Sequence, residues 1–304
     1  MSAPAVIPFA EGEAALDWLG LCAAFEAGHA RPRAEIADTF LYRGEDTLLN
    51  RGAWIDGLGL AVKAATIFPG NTAAGQPAVN GAVNLFSDTT GMLEAVVDFH
   101  LVTKWKTAGD SLYGARMLAR PESREILIIG AGTVARSLIA AYGAGFPEAR
   151  VTIWNRSPAR AEELAAEVPG LRVATDLEAA VARADIIATT TMAKEPVLRG
   201  DWLRPGQHLD LIGAYRPDMR EVDDAALTRA RIFVDSFDTT LGHIGELKIP
   251  LEAGVISRAD VLGDYYDPGA FTRATEDITI LKNGGGAHLD LMCARYIYEA
   301  WRGA

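Results

Sequence analysis

Gly130-Ala131-Gly132-Thr133-Val134-Ala135 is a GxGxxA turn set between an apolar run, EILII (125–129), and a helix-patterned stretch, TVARSLIAAYGAG (133–145). No other short segment limits the fold as strongly. The first glycine permits a tight turn out of a strand, and the second lets backbone approach a pyrophosphate. The small final residue lets helix pack on strand, with the anion at the helix N-terminus. Such a turn is a weak signal alone, so its surroundings decide. A second strand at VTIW (151–154) follows, then a helix over 157–168 opened by Ser157 as cap with a proline in its first turn. Further strands are expected at 171–174, 184–190, 208–213 and 230–235, with a helix from about Leu177. This alternation predicts an α/β domain: a doubly wound, Rossmann-type parallel sheet of about six strands.

In such a sheet a carboxylate about 20 residues beyond the glycine turn accepts from the ribose 2′-hydroxyl of NAD. Here the second strand ends Trp154-Asn155-Arg156-Ser157, with no acid. Arg156 can pair with a 2′-phosphate as a permanently charged planar donor, so NADP(H) is the expected cofactor and NAD(H) the second choice. The plainer reading of Arg156 is a surface arginine at a helix start. The cofactor set comprises Gly130, Ala131, Gly132, Thr133, Val134, Asn155, Arg156, Ser157, Thr190, Thr191, Met192 and Gly213. The threonines after the fourth strand either line the cofactor or simply end a strand rich in β-branched residues.

Residues 1–118 read differently. Runs at 34–42, 58–68 and 81–88 look like strands separated by Gly, Pro, Asn and Asp turns, mostly without crossover helices. They predict a smaller α+β domain, joined by a helix over about 101–119 to a nucleotide-binding domain at 119–288. A C-terminal helix, 289–304, is expected to return to the first domain. A length of 304 residues suits two domains of roughly 150 residues each.

A net charge of -11 argues against a chain whose main task is neutralising phosphates on nucleic acid or an anionic membrane. Cys22 and Cys293 stand far apart without CxxC spacing, and the histidines at 29, 100, 208, 243 and 288 show no ligand spacing, so no metal is expected. The N-terminus carries acids where a signal peptide needs basic residues, and no apolar run approaches the roughly 20 residues that span a bilayer. A reducing cytoplasm is the expected compartment.

Taken jointly, LAVKAATIFPGN (60–71), KTAGDSLYGARMLA (106–119), GAGTVA, WNRS, IGAYRPDMREVDD (212–224), ARIFVDS (230–236), GELKIPLEAGVI (245–256) and GGGAHLD (284–290) resemble the ornithine cyclodeaminase and mu-crystallin family over nearly the whole chain. The resemblance implies a homodimer built through the non-nucleotide domain and chemistry on imines or amines of amino acids. It also implies a basic cluster for the substrate carboxylate, matched here by Lys63, Lys106 and Arg33. A lysine inside an apolar strand such as LGLAVKAAT independently needs a reason, either an anionic ligand or a salt bridge, because burying its charge alone is expensive.

Two departures matter. The family commonly has an arginine at Lys106, so a planar fork has become a point charge; Lys104, roughly 200° around a helix from it, reads as a solvated charge facing elsewhere. Family cyclodeaminases place an aspartate where this chain has Tyr215, and a phenol carries no standing charge at neutral pH to attract an ammonium. Asp218 reads as a loop carboxylate. The expectation is therefore a ketimine reductase: hydride transfer from NADPH to a cyclic α-imino acid such as Δ1-pyrroline-2-carboxylate or Δ1-piperideine-2-carboxylate, with Tyr215 bordering the ring. His288, outside the usual pattern, is either a proton donor or a plain helix residue. An ornithine cyclodeaminase or alanine dehydrogenase-like deaminating enzyme, and a non-enzymatic NADP(H)-dependent ligand-binding protein, stay open as alternatives.

Overall fold

The computed structural model describes residues 3–304. The chain divides into two compact units, Met1–Lys106 with Gly285–Ala304, and Thr107–Gly284.

The first unit is built on a six-stranded sheet in the order β1-β6-β5-β4-β3-β2. Its strands are β1 (Ala5–Ile7), β2 (Glu35–Arg43), β3 (Asp46–Ile55), β4 (Gly59–Ile67), β5 (Val79–Phe86) and β6 (Leu93–Asp98). β1 pairs parallel to β6 and the rest are antiparallel. Helices α1 (Phe9–Glu13), α2 (Trp18–His29) and the start of α3 (Phe99–Leu118) belong to this unit, and the division falls inside α3 rather than at its end. β4 alternates strictly, with Gly59, Ala61, Lys63 and Ala65 on its buried face. A period of two puts these on one side of the sheet. The C-terminal helix (Ala287–Gly303) packs across β3 and β4 on that side and against α2. Close approach needs small residues: a Cβ on Gly28 would run into Met292.

The second unit carries an eight-stranded parallel sheet, two strands wider than the sequence suggests. Its elements are β7 (Glu125–Ile129), α4 (Thr133–Gly145), β8 (Arg150–Trp154), α5 (Pro158–Glu167), β9 (Arg172–Val173), α6 (Leu177–Arg183), β10 (Ile186–Thr189), β11 (His208–Leu211), α7 (Asp224–Arg229), β12 (Ala230–Val234), α8 (Phe237–Thr240), α9 (Gly245–Glu252), β13 (Val261–Gly263) and β14 (Ile278–Lys282); the C-terminal helix is thus α10. The order β13-β12-β14-β11-β10-β7-β8-β9 places the turn after β7 beside β10, where the winding direction reverses. That reversal is the position at which open α/β sheets bind ligands.

The two strands absent from the sequence reading are β13 and β14. β14 slots between β11 and β12, wholly buried, after a stretch of turns with no crossover helix to announce it. The strand read at 171–174 shrinks to two residues at the sheet edge. Ser157 stands at the cap of α5 but makes no side-chain cap bond; instead Asn155 donates to the Ser157 carbonyl at 2.9 Å. No helix among the described residues is long and apolar enough to cross a membrane.

Candidate active site

In the first unit, Lys63 on β4 and Lys106 on α3 converge on Asp290 in the first turn of α10, at 3.0 and 3.7 Å. Both lysines are 7% exposed and Asp290 1%. Lys63 also donates to the Thr103 hydroxyl at 2.9 Å and lies 4.6 Å from the centre of the Phe99 ring. Lys106 donates to the Gly285 carbonyl at 3.0 Å, and Arg51 on β3 donates to the same oxygen at 2.9 Å.

The electrostatics follow from burial. Desolvation pulls the Lys63 pKa below the ordinary lysine value, with Asp290 opposing and Lys106 reinforcing the fall. For Asp290 burial pushes upward, but Lys106, Lys63 and Arg51 together hold it below the usual carboxylate range. The cluster is thus a fixed group of cations around one carboxylate, able to bind and orient a further anion.

Of the other residues singled out in this half of the chain, Arg33 is exposed, just before β2, and its charge reaches His288. His288 is fully buried and meets the His29 ring edge-on at 5.4 Å. Burial, then Lys106, pushes its pKa down to about 3, so it is neutral near pH 7 and no imidazolium donor. Lys104 faces away from the cluster and pairs with Glu13 at 2.6 Å. No group of three or more His, Cys, Asp or Glu able to hold a metal occurs among the described residues.

The second unit presents its glycine turn at the carboxyl end of β7. Gly130 has φ +118, and a Cβ there would strike Thr190. Gly132 caps α4 without a side chain, and the space beside it is open. A hollow of about 350 Å³ lies there, lined by Ala131, Gly132, Thr133, Arg136 and Arg160 and also by Glu163 and Glu167, the latter paired with Arg136 at 2.6 Å. Bare backbone at a helix N-terminus fits a dinucleotide pyrophosphate. Arg156 is exposed at the end of β8, while Thr190 and Thr191 are half-buried after β10 and Met192 is 73% exposed. Tyr215, in the loop after β11, is 61% exposed. Asp218 pairs with Arg216 and Lys194 at 3.1 and 2.8 Å.

Sequence reasoning missed the group that shapes these loops. Glu221, fully buried, accepts from the Thr191 N–H and hydroxyl at 2.7 and 2.8 Å on one oxygen. On the other it accepts from the Thr189 hydroxyl, Gly213 N–H and Ala214 N–H at 2.8, 2.7 and 3.2 Å. Gly213 is required, since a Cβ would collide with the Thr191 backbone. Glu246 on α9 in turn accepts from the Glu221 and Val222 N–H groups at 2.7 and 3.1 Å. Nothing in MREVDD marks Glu221 as buried. Arg51 was also missed, although period-two spacing with buried Ala53 and Ile55 was a usable signal.

Burial, then the nearby Glu221, pushes the Glu246 pKa from 4.5 up to about 7. A carboxyl raised on folding binds more protons folded than unfolded between those values. Its stabilising contribution is therefore complete below the unfolded value and lost as pH rises through about 7. Thermal denaturation should show stability falling between pH 5 and pH 8 by up to about 3 kcal/mol; a profile flat over that interval would contradict the assignment.

The chain matches the description "Ornithine cyclodeaminase/mu-crystallin family" over residues 55–304. It is 50% identical to a Δ1-pyrroline-2-carboxylate reductase of Paracoccus denitrificans, covering 99% of this chain and 98% of that one. It is 35% identical to the ketimine reductase mu-crystallin of Mus musculus, over 80% and 76% of the two chains. Among solved structures an archaeal alanine dehydrogenase dimer with bound NAD superposes with a TM-score of 0.89 at 27% identity, covering 99% and 96%. Fold, glycine turn and full-length similarity agree: the chain belongs to the ornithine cyclodeaminase/mu-crystallin family.

Proposed function

We propose that this chain is an NADPH-dependent ketimine reductase acting on a cyclic α-imino acid, Δ1-pyrroline-2-carboxylate or Δ1-piperideine-2-carboxylate, to give proline or pipecolate. The observation that carries this reading is the buried Lys63–Asp290–Lys106 cluster, in a chain half identical over its length to a reductase of that kind. NADPH, when bound, supplies a hydride from its C4.

The chain's own residues bind and orient. The turn Gly130–Val134 and the start of α4 hold the pyrophosphate, Asn155, Arg156 and Ser157 the 2′-phosphate, and Thr190, Thr191, Met192 and Gly213 border the nicotinamide end. Lys63, Lys106 and Arg33 hold the imino acid carboxylate. The C=N bond of a protonated imine becomes the C–N bond of a secondary amine with the two electrons that bound cofactor would supply, and oxidised cofactor is the other product. A protonated imine is already electrophilic, so orientation and charge placement are most of what the protein supplies. Lys63, its pKa lowered by burial, is the group suited to exchange a proton with the imine nitrogen. Tyr215 borders the substrate ring. With a phenol there rather than an acid, amine-attack chemistry of the cyclodeaminase kind is the less favoured use of this site.

We further propose a homodimer formed through the first unit, in a reducing cytoplasm. Phe40, Leu41 and Tyr42 on β2 are 47%, 59% and 72% exposed, and an apolar groove of about 490 Å³ between Ile36, Trp54, Val62 and Phe86 lies on the same sheet. Alternation puts Leu41 on the face of the groove, with Trp54 and Val62, and Phe40 and Tyr42 on the other, so both faces at this edge strand expose apolar surface of the kind that marks interaction sites.

The test follows NADPH and, separately, NADH oxidation with each imine. NADPH is expected to be preferred, and Arg156→Ala should lower kcat/KM for NADPH by about tenfold or more while leaving NADH within about twofold. An unaltered preference in the variant would remove the 2′-phosphate assignment; ammonia release from ornithine without imine reduction would restore the cyclodeaminase.

A further inference from the structure

Across the sheet of the first unit one row of directly opposed residues reads Asp38, Arg51, Lys63, Val83, Val97 on β2, β3, β4, β5 and β6. Opposed residues in antiparallel strands share a face, and like charges directly opposite destabilise the pairing. Arg51 and Lys63 are such a pair. They sit on the side covered by α10, so the repulsion is only partly screened by water.

The charges around the pair are distributed unevenly. Lys63 is taken up by Asp290 at 3.0 Å, which Lys106 shares at 3.7 Å. Arg51 is held at two points: Nε by both oxygens of Asp38 at 3.1 and 3.2 Å, and Nη1 by the Gly285 carbonyl at 2.9 Å. That hold fixes the guanidinium plane without burying it. The Arg51 side chain keeps 22% exposure against 8% and 9% for the two lysines. Its charge still acts on Asp290 and His288, so it belongs to the same electrostatic cluster.

We propose that Arg51 binds the substrate carboxylate directly and sets the preference for imines that carry one. This rests on the reductase reading above. Asp38 and Asp290 set two carboxylates against the three cations Arg51, Lys63 and Lys106, so a substrate carboxylate arriving at Arg51 supplies a third and meets a planar donor whose orientation is already fixed, which lowers the ordering cost of the contact. The two lysines, more deeply buried and paired with Asp290, hold the same substrate carboxylate with point charges, and Arg51 adds the planar contact. The contribution is to binding, present in ground and transition states alike, and appears mainly in KM.

The experiment compares wild type with Arg51→Met and Arg51→Lys, using Δ1-pyrroline-2-carboxylate and Δ1-pyrroline, which lacks the carboxylate. In Arg51→Met the KM for the carboxylate substrate should rise about 30-fold or more with kcat within a few-fold, and the loss in kcat/KM for Δ1-pyrroline should be at least about tenfold smaller than the loss for the carboxylate substrate. The selectivity between the two imines should collapse, and Arg51→Lys should recover part of it. A residue that merely supports the Gly285 turn would weaken both substrates alike, so unchanged selectivity overturns the proposal. If the wild type reduces neither imine, the reductase reading has failed separately. Calorimetry with pyrrole-2-carboxylate then decides on Arg51, equal affinity for wild type and Arg51→Met overturning it and loss of affinity in the variant upholding it.

Discussion

Replacing Lys63 by alanine is expected to lower kcat/KM for the imino acid by about a thousandfold or more, with NADPH affinity changed by less than about twofold. The size of the effect comes from the two roles proposed for one ammonium. Lys63 lies directly opposite Arg51, donates to Asp290 and Thr103, and carries a pKa lowered by burial, so its loss removes both carboxylate orientation and a proton carrier. The split between substrates follows from location, because the glycine turn proposed for NADPH lies in the other compact unit. Stability must be separated from function. Removing one partner of a buried ion pair typically costs about 3–5 kcal/mol, since the other charge stays buried. Lys63→Met combined with Asp290→Asn and Lys106→Met leaves neither an orphaned carboxylate nor an orphaned ammonium; it should recover stability and remain inactive. Fluorescence titration with NADPH and steady-state rates on both variants check this. Joint loss of NADPH binding and turnover in Lys63→Ala would make the lysine a structural residue, and an active triple variant would remove it from the chemistry.

What was legible in the sequence tracks how local the determining physics is. The glycine turn, β7, α4 and β8 were readable because tight-turn sterics and strand-to-helix alternation act over a few residues. β14 was not: its place between β11 and β12 is decided by partners about 50 and 70 positions away, and a buried run such as ITILK looks alike in strand and helix. The cluster shows the same contrast. Lys63 stood out because a lone charge interrupts an apolar strand, and the resemblance to a known family pointed to Lys106. Arg51 was passed over because its strand, DTLLNRGAWI, is polar enough to look solvated, and the Gly285 carbonyl that holds it lies 234 residues later. Glu221 was invisible for the reason that makes it informative: its five donors come from two loops and the end of a strand, and the nearest lies 7 residues from it in sequence.

Glu221→Gln is expected to raise the NADPH dissociation constant by about 30-fold or more, the second large effect in the molecule. A carboxylate offers acceptors on both oxygens, and Glu221 uses both. An amide has one oxygen and one NH2 group, and neither flip satisfies the site. With nitrogen at Oε1 it faces the Thr191 N–H; with nitrogen at Oε2 it faces the Gly213 and Ala214 N–H groups. Each unmet buried donor costs about 1–3 kcal/mol, and the cheapest relief is for the loops after β10 and β11 to move apart. Those loops carry Thr190, Thr191, Met192 and Gly213, the residues assigned to the nicotinamide end. Glu221 touches no cofactor atom in this scheme, so it is a positioning residue, and simple destabilisation has to be distinguished from loop displacement. Gly213→Ala provides the second arm: its Cβ would push on both the Thr191 backbone and the Glu221 Oε1, forcing the loops apart while the glutamate keeps both of its acceptor oxygens. Measured well below either variant's unfolding temperature, both should weaken NADPH and NADH together, in contrast to Arg156→Ala, which acts on NADPH alone. Glu221→Asp, which keeps both acceptor oxygens but shortens the reach, should fall between wild type and Glu221→Gln. A Glu221→Gln protein that is folded at the assay temperature and binds NADPH within about twofold of wild type would show that the two loops hold their shape without the carboxylate, and that the glutamate serves the fold alone.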